Sequence, residues 1–405
     1  MLQTVSVIGL GYIGLPTAAM LASRKLKVIG VDVNQHAVDT INQGKIHIVE
    51  PELDLLVHAA VTGGYLSAQT HTSPADAFMI AVPTPFFDDL SPDLSYVEAA
   101  VKSIAPVLQA GNLVILESTS PVGTTEKICG WIKEIRADLT LPTDSNSPDL
   151  FIAYCPERVL PGKVVHELIS NDRIIGGLTA SCSEKAKALY QTFVAGELLV
   201  TDARTAEMAK LTENAFRDCN IAFANELSLI CDKLNINVWE LIRMANRHPR
   251  VNILTPGAGV GGHCIAVDPW FIVHSAPEQA KMIRTAREVN DYKPKWVLEK
   301  VLTTIANHAL HKPSVACFGL AFKPDIDDLR ESPALHIVND LAATYQGKVL
   351  AVEPNIESTT KLHANAELVS IEQGLAADII VILVKHKAFA QCNFTGKTVV
   401  NVVGE

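Results

Sequence analysis

The first 23 residues of this 405-residue chain carry no charged side chain, and nowhere does the sequence gather a run of basic ones. An uncharged apolar start suggests a signal peptide or an anchor. This one lacks a basic leader, however, and is interrupted by Gly9, Gly11, Gly14 and Pro16. It reads instead as a buried strand, a turn and the start of a helix. No other segment stays apolar over the roughly 20 residues that a bilayer requires, so no membrane partner is expected. Aromatic residues are 6% of the chain and the formal net charge is −10, a balance that repels phosphate backbones and excludes nucleic acid. Cys-x-x-Cys pairs are absent as well: the eight cysteines are spread from Cys129 to Cys392. That spread is neither a disulfide framework nor a zinc site. It fits a reducing cytoplasm and calls for no metal.

What is present points to a soluble α/β enzyme. A chain of this length exceeds one ordinary core, which predicts two or three domains. The first third alternates β-branched runs with helical patterns, with strands expected at Val5–Gly9, Val28–Val31, Phe78–Val82, Leu113–Leu116 and Phe151–Tyr154. Such alternation implies a parallel sheet with helices on both faces. From Ala203 to His248 there is no Gly or Pro, and Met208, Leu211, Ala215, Leu227, Ile230 and Leu234 recur at helical spacing. That predicts a long helical connector, of the kind that bridges domains and offers a dimer face. Beyond Lys312 the α/β pattern returns as an echo of the start. Val315 to Phe322 mirrors Val5 to Tyr12, and Lys348 to Asn355 mirrors Lys27 to Asn34. A second nucleotide-binding-like sheet follows, without the glycine fingerprint, because Ala321 stands where Gly11 stood.

Gly9-Leu-Gly11-Tyr-Ile-Gly14 lies between an apolar strand and a helix expected to start near Pro16. Glycines there permit a tight turn and let backbone N–H groups approach a pyrophosphate at a helix N-terminus. Asp32 ends the next strand, where its carboxylate accepts from both ribose hydroxyls and repels a 2′-phosphate, favouring NAD over NADP.

A second constellation lies at Gly259-Val-Gly-Gly-His-Cys-Ile-Ala-Val-Asp268. Gly257, Gly259, Gly261 and Gly262 are expected to clear space around the Cys264 thiol, and Asp268 sits a turn away if a helix begins there. Glycines before a helix start also aim N–H donors at the thiol, which lowers its pKa toward a reactive thiolate. His263, the immediate neighbour, would point elsewhere. Lys210 and Asn214 are four apart and share a helical face, where a partly buried cation can clamp an oxyanion. Two strands end in polar stretches at the ligand edge of an open sheet, Ile115–Gly123 and Tyr154–Gly162. Glu157 in the second is open to two readings, a general base or a salt-bridge partner of Arg158. Lys323 and Arg330 similarly either neutralise a diphosphate or pair with Asp325, Asp327, Asp328 and Glu331.

Taken together these residues resemble a known family, the nucleotide-sugar 6-dehydrogenases of the UDP-glucose/GDP-mannose dehydrogenase family. The likeness runs over essentially the whole chain. It rests on Gly9–Gly14, Glu117-Ser-Thr119, Cys155-Pro-Glu-Arg158, Lys210-Leu-Thr-Glu-Asn214, Gly259–Asp268 and Phe322-Lys-Pro-Asp325. Val267, where the glucose enzymes have lysine, and the segment Asn246–Leu254 resemble the branch that acts on UDP-N-acetyl-D-mannosamine. Ala258 departs from that branch's proline, and the end at Glu405 is shorter than is usual for the family.

The resemblance implies a fold of two Rossmann-like doubly wound domains joined by a long-helix central domain. These would be an NAD-binding domain over 1–195, a helical central and dimerisation domain with the catalytic cysteine over 196–305, and a UDP-sugar-binding domain over 306–405. It further implies a cytoplasmic homodimer that oxidises a UDP-sugar at C6 in two steps, for bacterial surface polysaccharide synthesis. Cys264 would capture the aldehyde as a thiohemiacetal that becomes a thioester, and Lys210 would stabilise its oxygen. Glu157, Thr119, Asn214 and Asp268 would hold the hydrolytic water. The first proton goes either to Asp268 through a water or to Lys210. Gly11, Tyr12, Ile13, Gly14, Asp32, Pro83, Thr84, Thr119 and Arg330 fall to the cofactor. Glu157, Arg158, Val159, Lys210, Asn214, Arg217, His248, Arg250, Asn252, Gly257, Gly261, Phe322 and Lys323 fall to the substrate, Arg250 reaching the neighbouring subunit.

Three rivals share these features: a single-step β-hydroxyacid-type dehydrogenase, the same chemistry on UDP-N-acetylglucosamine or UDP-glucose, and a non-catalytic NAD sensor. The last is disfavoured by the intact set Lys210, Asn214, Cys264 and Asp268.

Overall fold

The computed structural model describes residues 2–48, 50–145, 147–160, 162–262, 264–356 and 361–404. His263 and the terminal Glu405 therefore lie outside the described residues. The chain divides into two compact units, Met1–Thr212 and Glu213–Glu405.

The first unit is built on eight strands: β1 (Thr4–Ile8), β2 (Lys27–Val31), β3 (Leu66–Gln69), β4 (Ala77–Ile80), β5 (Leu113–Leu116), β6 (Phe151–Tyr154), β7 (Arg173–Gly177) and β8 (Leu198–Asp202). Their order is β3-β2-β1-β4-β5-β6-β7-β8, parallel except where β7 runs antiparallel to β6. The first six strands therefore follow the order of a dinucleotide-binding sheet. Central strands are covered on both faces, so they read as unbroken apolar runs. In β5, Leu113 and Ile115 join the core on one face while Val114 and Leu116 join the core on the other. Strands β5 and β6 match the sequence expectation residue for residue, and β1, β2 and β4 shift by one or two. β3 and β7 hold only two apolar residues each and do not stand out; β8, with Leu198, Leu199 and Val200, was not expected either.

The helical stretch after Ala203 is not continuous. A 32-residue helix, Ala203–Leu234, spans the division between the units, and Asn235 follows it in the left-handed region at φ 56°. Asparagine tolerates that conformation well, and it commonly ends helices. A new helix, Val238–Ala245, starts under the Asn237 side chain, which accepts the N–H groups of Trp239 and Glu240. In the second unit the long helix is joined to the helix Lys281–Ala306 by buried polar groups. Arg287 meets Asp218 at 2.6 Å, and Asn290 donates to the same carboxylate at 2.8 Å.

The second unit holds a five-stranded parallel sheet: β9 (Val315–Phe318), β10 (Val349–Val352), β11 (Ala366–Leu368), β12 (Ile379–Ile382) and β13 (Thr398–Asn401). Its order, β11-β10-β9-β12-β13, repeats that of the first five strands. The doubling read from the sequence is thus a doubling of topology. Among the described residues, no helix is long and apolar enough to cross a membrane.

Candidate active site

The cofactor candidates of the first unit sit in loops at the carboxyl ends of β1, β2, β4 and β5, the edge where open α/β sheets bind ligands. Gly9 adopts φ 90°, and its N–H donates to Val31 O at 2.8 Å. An ideal Cβ on Gly14 would lie 1.8 Å from Gly9 O, and one on Gly9 would lie 2.6 Å from Ala81 O. A Cβ on Gly11 would meet nothing within 4 Å. Two of the glycines therefore serve the turn, while Gly11 borders open space through which a pyrophosphate can approach the backbone. The helix begins at Gly14, two residues earlier than expected, with Ile13 at its N-cap. Asp32 is half-buried; its oxygens accept Leu10 N–H and Asn34 N–H, each at 2.8 Å. Each carboxylate oxygen has a second lone pair, so acceptor capacity for ribose hydroxyls remains. Thr84 Oγ1 donates to Thr119 O at 2.6 Å, tying the loop that holds Pro83 and Thr84 to the one that holds Thr119. Behind them, Glu207 of the long helix accepts Gly123 N–H at 2.6 Å and Thr125 N–H at 2.8 Å.

Glu157 has a different partner from the one the sequence offered. Its carboxylate is buried and pairs with the buried guanidinium of Arg173 on β7 at 2.5 Å, not with the side chain of Arg158. The backbone N–H groups of Arg158 and Val159 do donate to it, at 2.6 and 3.0 Å. Sequence reading missed Arg173 because β7 was missed; an arginine opening the apolar run Ile174–Gly177 was the available signal. Glu117 lies in the same polar interior and accepts from Tyr190 OH at 2.7 Å. Burial pushes its pKa up to about 7, against the opposing pull of Arg173. Lys210 is half-buried on the long helix and forms no ion pair among the described residues.

In the second unit Cys264 is the one exposed cysteine of the eight. Five others are buried, and burial pushes the Cys129 thiol up to about 11 and Cys317 up to about 12. Thiols held that high are inert at neutral pH, which leaves Cys264 as the most accessible candidate nucleophile. Cys264 sits one turn ahead of the helix Asp268–Ser275, and its carbonyl accepts the N–H groups of Val267 and Asp268 at 3.1 and 2.9 Å. Asp268 opens the helix as expected. Its buried carboxylate accepts from Asn214 Nδ2 at 2.5 Å, which joins two of the predicted site residues.

The expectation that the glycines clear space around the thiol is corrected by their contacts. A Cβ on Gly261 would lie 2.7 Å from Phe322 Cβ and 2.5 Å from Glu331 O, and one on Gly259 would lie 2.9 Å from Pro333 Cβ. Gly262 would press on the Phe322 ring at 3.1 Å; only Gly257 faces open space. Gly259, Gly261 and Gly262 thus let this loop lie against the segment from Phe322 to Pro333, with Gly261 and Gly262 on Phe322 itself. Lys323 is exposed and unpaired among the described residues. Arg330 holds Asp328 with bonds of 2.6 to 3.0 Å, so the pairing alternative holds for this cation. Arg217, His248, Arg250 and Asn252 are all exposed.

Three family models match in the order of the architecture. They are the NAD binding domain of the UDP-glucose/GDP-mannose dehydrogenase family over residues 3–194, its central domain over 204–292 and its UDP binding domain over 316–402. The chain belongs to the UDP-glucose/GDP-mannose dehydrogenase family. As a member it is an NAD-dependent UDP-sugar dehydrogenase, and the open approach at Gly11 together with Asp32 fits NAD. A relative from Ralstonia nicotianae named NDP-N-acetyl-D-galactosaminuronic acid dehydrogenase is 63% identical, over 96% of this chain and 92% of its own. One from Campylobacter jejuni named UDP-N-acetyl-D-mannosamine dehydrogenase is also 63% identical, over 96% of both chains. Among solved structures, the UDP-D-ManNAc dehydrogenase of Pyrococcus horikoshii superposes with a TM-score of 0.89 at 37% identity, covering 98% of this chain and 99% of that one.

Proposed function

We propose that this family member oxidises UDP-N-acetyl-D-mannosamine twice at C6 to the corresponding uronate, through a covalent intermediate on Cys264. The observation that carries the reading is the single exposed thiol set one turn ahead of the buried Asn214–Asp268 pair. When bound, NAD supplies the hydride acceptor for each oxidation. Sγ of Cys264 adds to the aldehyde carbon left by the first oxidation, and Lys210 stabilises the resulting oxyanion as a fixed cation. A bound thiohemiacetal cannot diffuse away as free aldehyde. After the second oxidation, water adds to the thioester, the C–S bond breaks, and the acid leaves with the thiolate restored. Glu157, Thr119, Asn214 and Asp268 hold that water. Phe322, Lys323 and the loop Gly257–Gly261 hold the UDP. The product is an activated uronate, a donor for surface polysaccharide synthesis.

A second reading is the galacto-configured acetamido sugar, because the Ralstonia relative is as similar as the Campylobacter one. Counting NADH formed per sugar consumed, over UDP-linked N-acetylmannosamine, N-acetylgalactosamine, N-acetylglucosamine and glucose, separates them. Two NADH per UDP-N-acetylmannosamine is the expected result. One NADH per sugar, or undiminished turnover after Cys264→Ala, would overturn the thioester route.

We further propose a homodimer through the long helix. Phe216, Phe223, Ile230 and Leu234 are exposed, and their spacing puts them on one face as an apolar stripe that a second copy would cover. Sedimentation of Phe223→Glu should then give a monomer where the parent protein gives a dimer.

A further inference from the structure

The loop Phe322–Asp325 is held at both ends by groups that carry no part in the chemistry above. Just before its start, Glu353 Oε2, just past β10, accepts the N–H groups of Leu320 and Ala321 at 2.8 and 3.0 Å. At its far end, Asp325 adopts φ 61°, a left-handed conformation that needs support in a residue with a side chain. The support comes from His386, which follows β12. Asp325 N–H donates to His386 Nδ1 at 2.9 Å, and Asp325 Oδ1 accepts Lys387 N–H at 2.8 Å.

A backbone N–H can only donate, so Nδ1 is the accepting nitrogen and the imidazole proton resides on Nε2. That proton points at Glu353 Oε2, 2.9 Å away. Asn355 closes the ring, its Nδ2 reaching Glu353 Oε1 at 3.0 Å and His386 Nδ1 at 3.1 Å. His386 is 2% exposed, and the Phe389 ring meets it edge-on at 5.3 Å, which fixes the imidazole plane. Glu353 and His386 form one buried unit bonded to the two residues just before the loop and to its last residue.

We propose that His386 is a positioning residue for the nucleotide: by holding Asp325 N–H it sets the loop that presents Phe322 and Lys323. The inference rests on the reading that Phe322 and Lys323 hold UDP. Asn and Gln separate its two bonds. His386→Asn keeps an acceptor near the Nδ1 position and loses the reach to Glu353. His386→Gln keeps the donor to Glu353 and leaves the part-buried Asp325 N–H without its acceptor.

Titrating the full chain with UDP should show roughly tenfold weaker binding for His386→Gln, with Asn within about twofold of the parent. With UDP-sugar, KM should rise by the same factor in the Gln variant while kcat and NAD affinity stay unchanged. UDP binding by the Gln variant equal to the parent, or equal losses in both variants, would overturn the proposal. In the parent protein the Asp325 amide should exchange with solvent as slowly as the amides of β9, and fast exchange would overturn it without any variant. Lys323→Ala tests the underlying reading separately. If it leaves UDP binding intact, the loop is not the nucleotide site, whatever His386 does to Asp325.

Discussion

The two Rossmann-like sheets of this chain use the same latch for different ends. In the first, Gly9 N–H meets Val31 O and Leu10 N–H meets the Asp32 carboxylate; in the second, Gly319 N–H meets Val352 O and Leu320 N–H meets Glu353. Those four bonds are each 2.8 Å. Gly9 and Gly319 both take φ near 90°. The difference lies in what each acid does with its remaining capacity. Asp32 is half-buried and can still accept from a ligand, whereas Glu353 is 4% exposed and already holds His386, Ala321 and Asn355. Loop length differs too: five residues, Gly9–Ile13, separate strand from helix in the first sheet, and fourteen, Gly319–Ser332, in the second. A short glycine turn brings a helix N-terminus to the ligand; a long loop braced by a saturated acid presents side chains instead.

The harshest way to break the first sheet's design is Gly14→Ala, which drives a Cβ to 1.8 Å from Gly9 O. It should abolish NAD binding and destabilise the first unit by on the order of 3 kcal/mol, read from urea unfolding. The second sheet has Pro324 at the matching position, so it never relied on that contact.

Next in size, the sheets should respond oppositely to pH. Glu117 rises in the folded state from 4.5 to about 7, so its contribution is present below 4.5 and lost as pH climbs through 7, up to about 3 kcal/mol. Glu353 moves the other way: burial raises it, but the bonds from His386, Leu320 and Ala321 outweigh burial and hold it below 4.5. Its contribution is present above 4.5 and lost as pH falls through its folded value. Unfolding midpoints of the parent should therefore drop from pH 5 to pH 8, a drop that Glu117→Gln removes. The acid-side loss below pH 4.5 should shrink in Glu353→Gln. Parallel behaviour of the two variants would erase the contrast.

A smaller effect sharpens the roles of the two acids. Asp32→Asn should weaken NAD binding by roughly tenfold, while Glu353→Gln should leave it unchanged by fluorescence titration. Smallest of all, Ala321→Gly restores the first sheet's glycine at the matching place and should still add no second NAD site; calorimetric stoichiometry stays at one per chain.

What the sequence made legible follows from what periodicity can carry. Apolar runs marked β5 and β6 to the residue, the glycine turn marked the cofactor edge, and the repeat of Val5–Tyr12 at Val315–Phe322 marked the second sheet. Pairings between distant polar residues leave no such trace. Glu157 was visible, but its partner Arg173 lay on a strand with only two strongly apolar residues. Glu353 and His386 are 33 positions apart and were not singled out, because nothing local distinguishes a buried brace from a surface residue. The glycines before Cys264 were visible and misassigned, since their reason for being small is Phe322 and Pro333, far along the chain.

Exposure of a single cysteine makes the protein its own reporter. A brief treatment of the native chain with an alkylating reagent should modify Cys264 well ahead of the five buried thiols, and turnover should fall in step with that modification if Cys264 is the nucleophile proposed above. Peroxide should likewise find Cys264 first, silencing turnover while the fold stays intact, and a reductant should restore it as long as oxidation stops at the sulfenic acid.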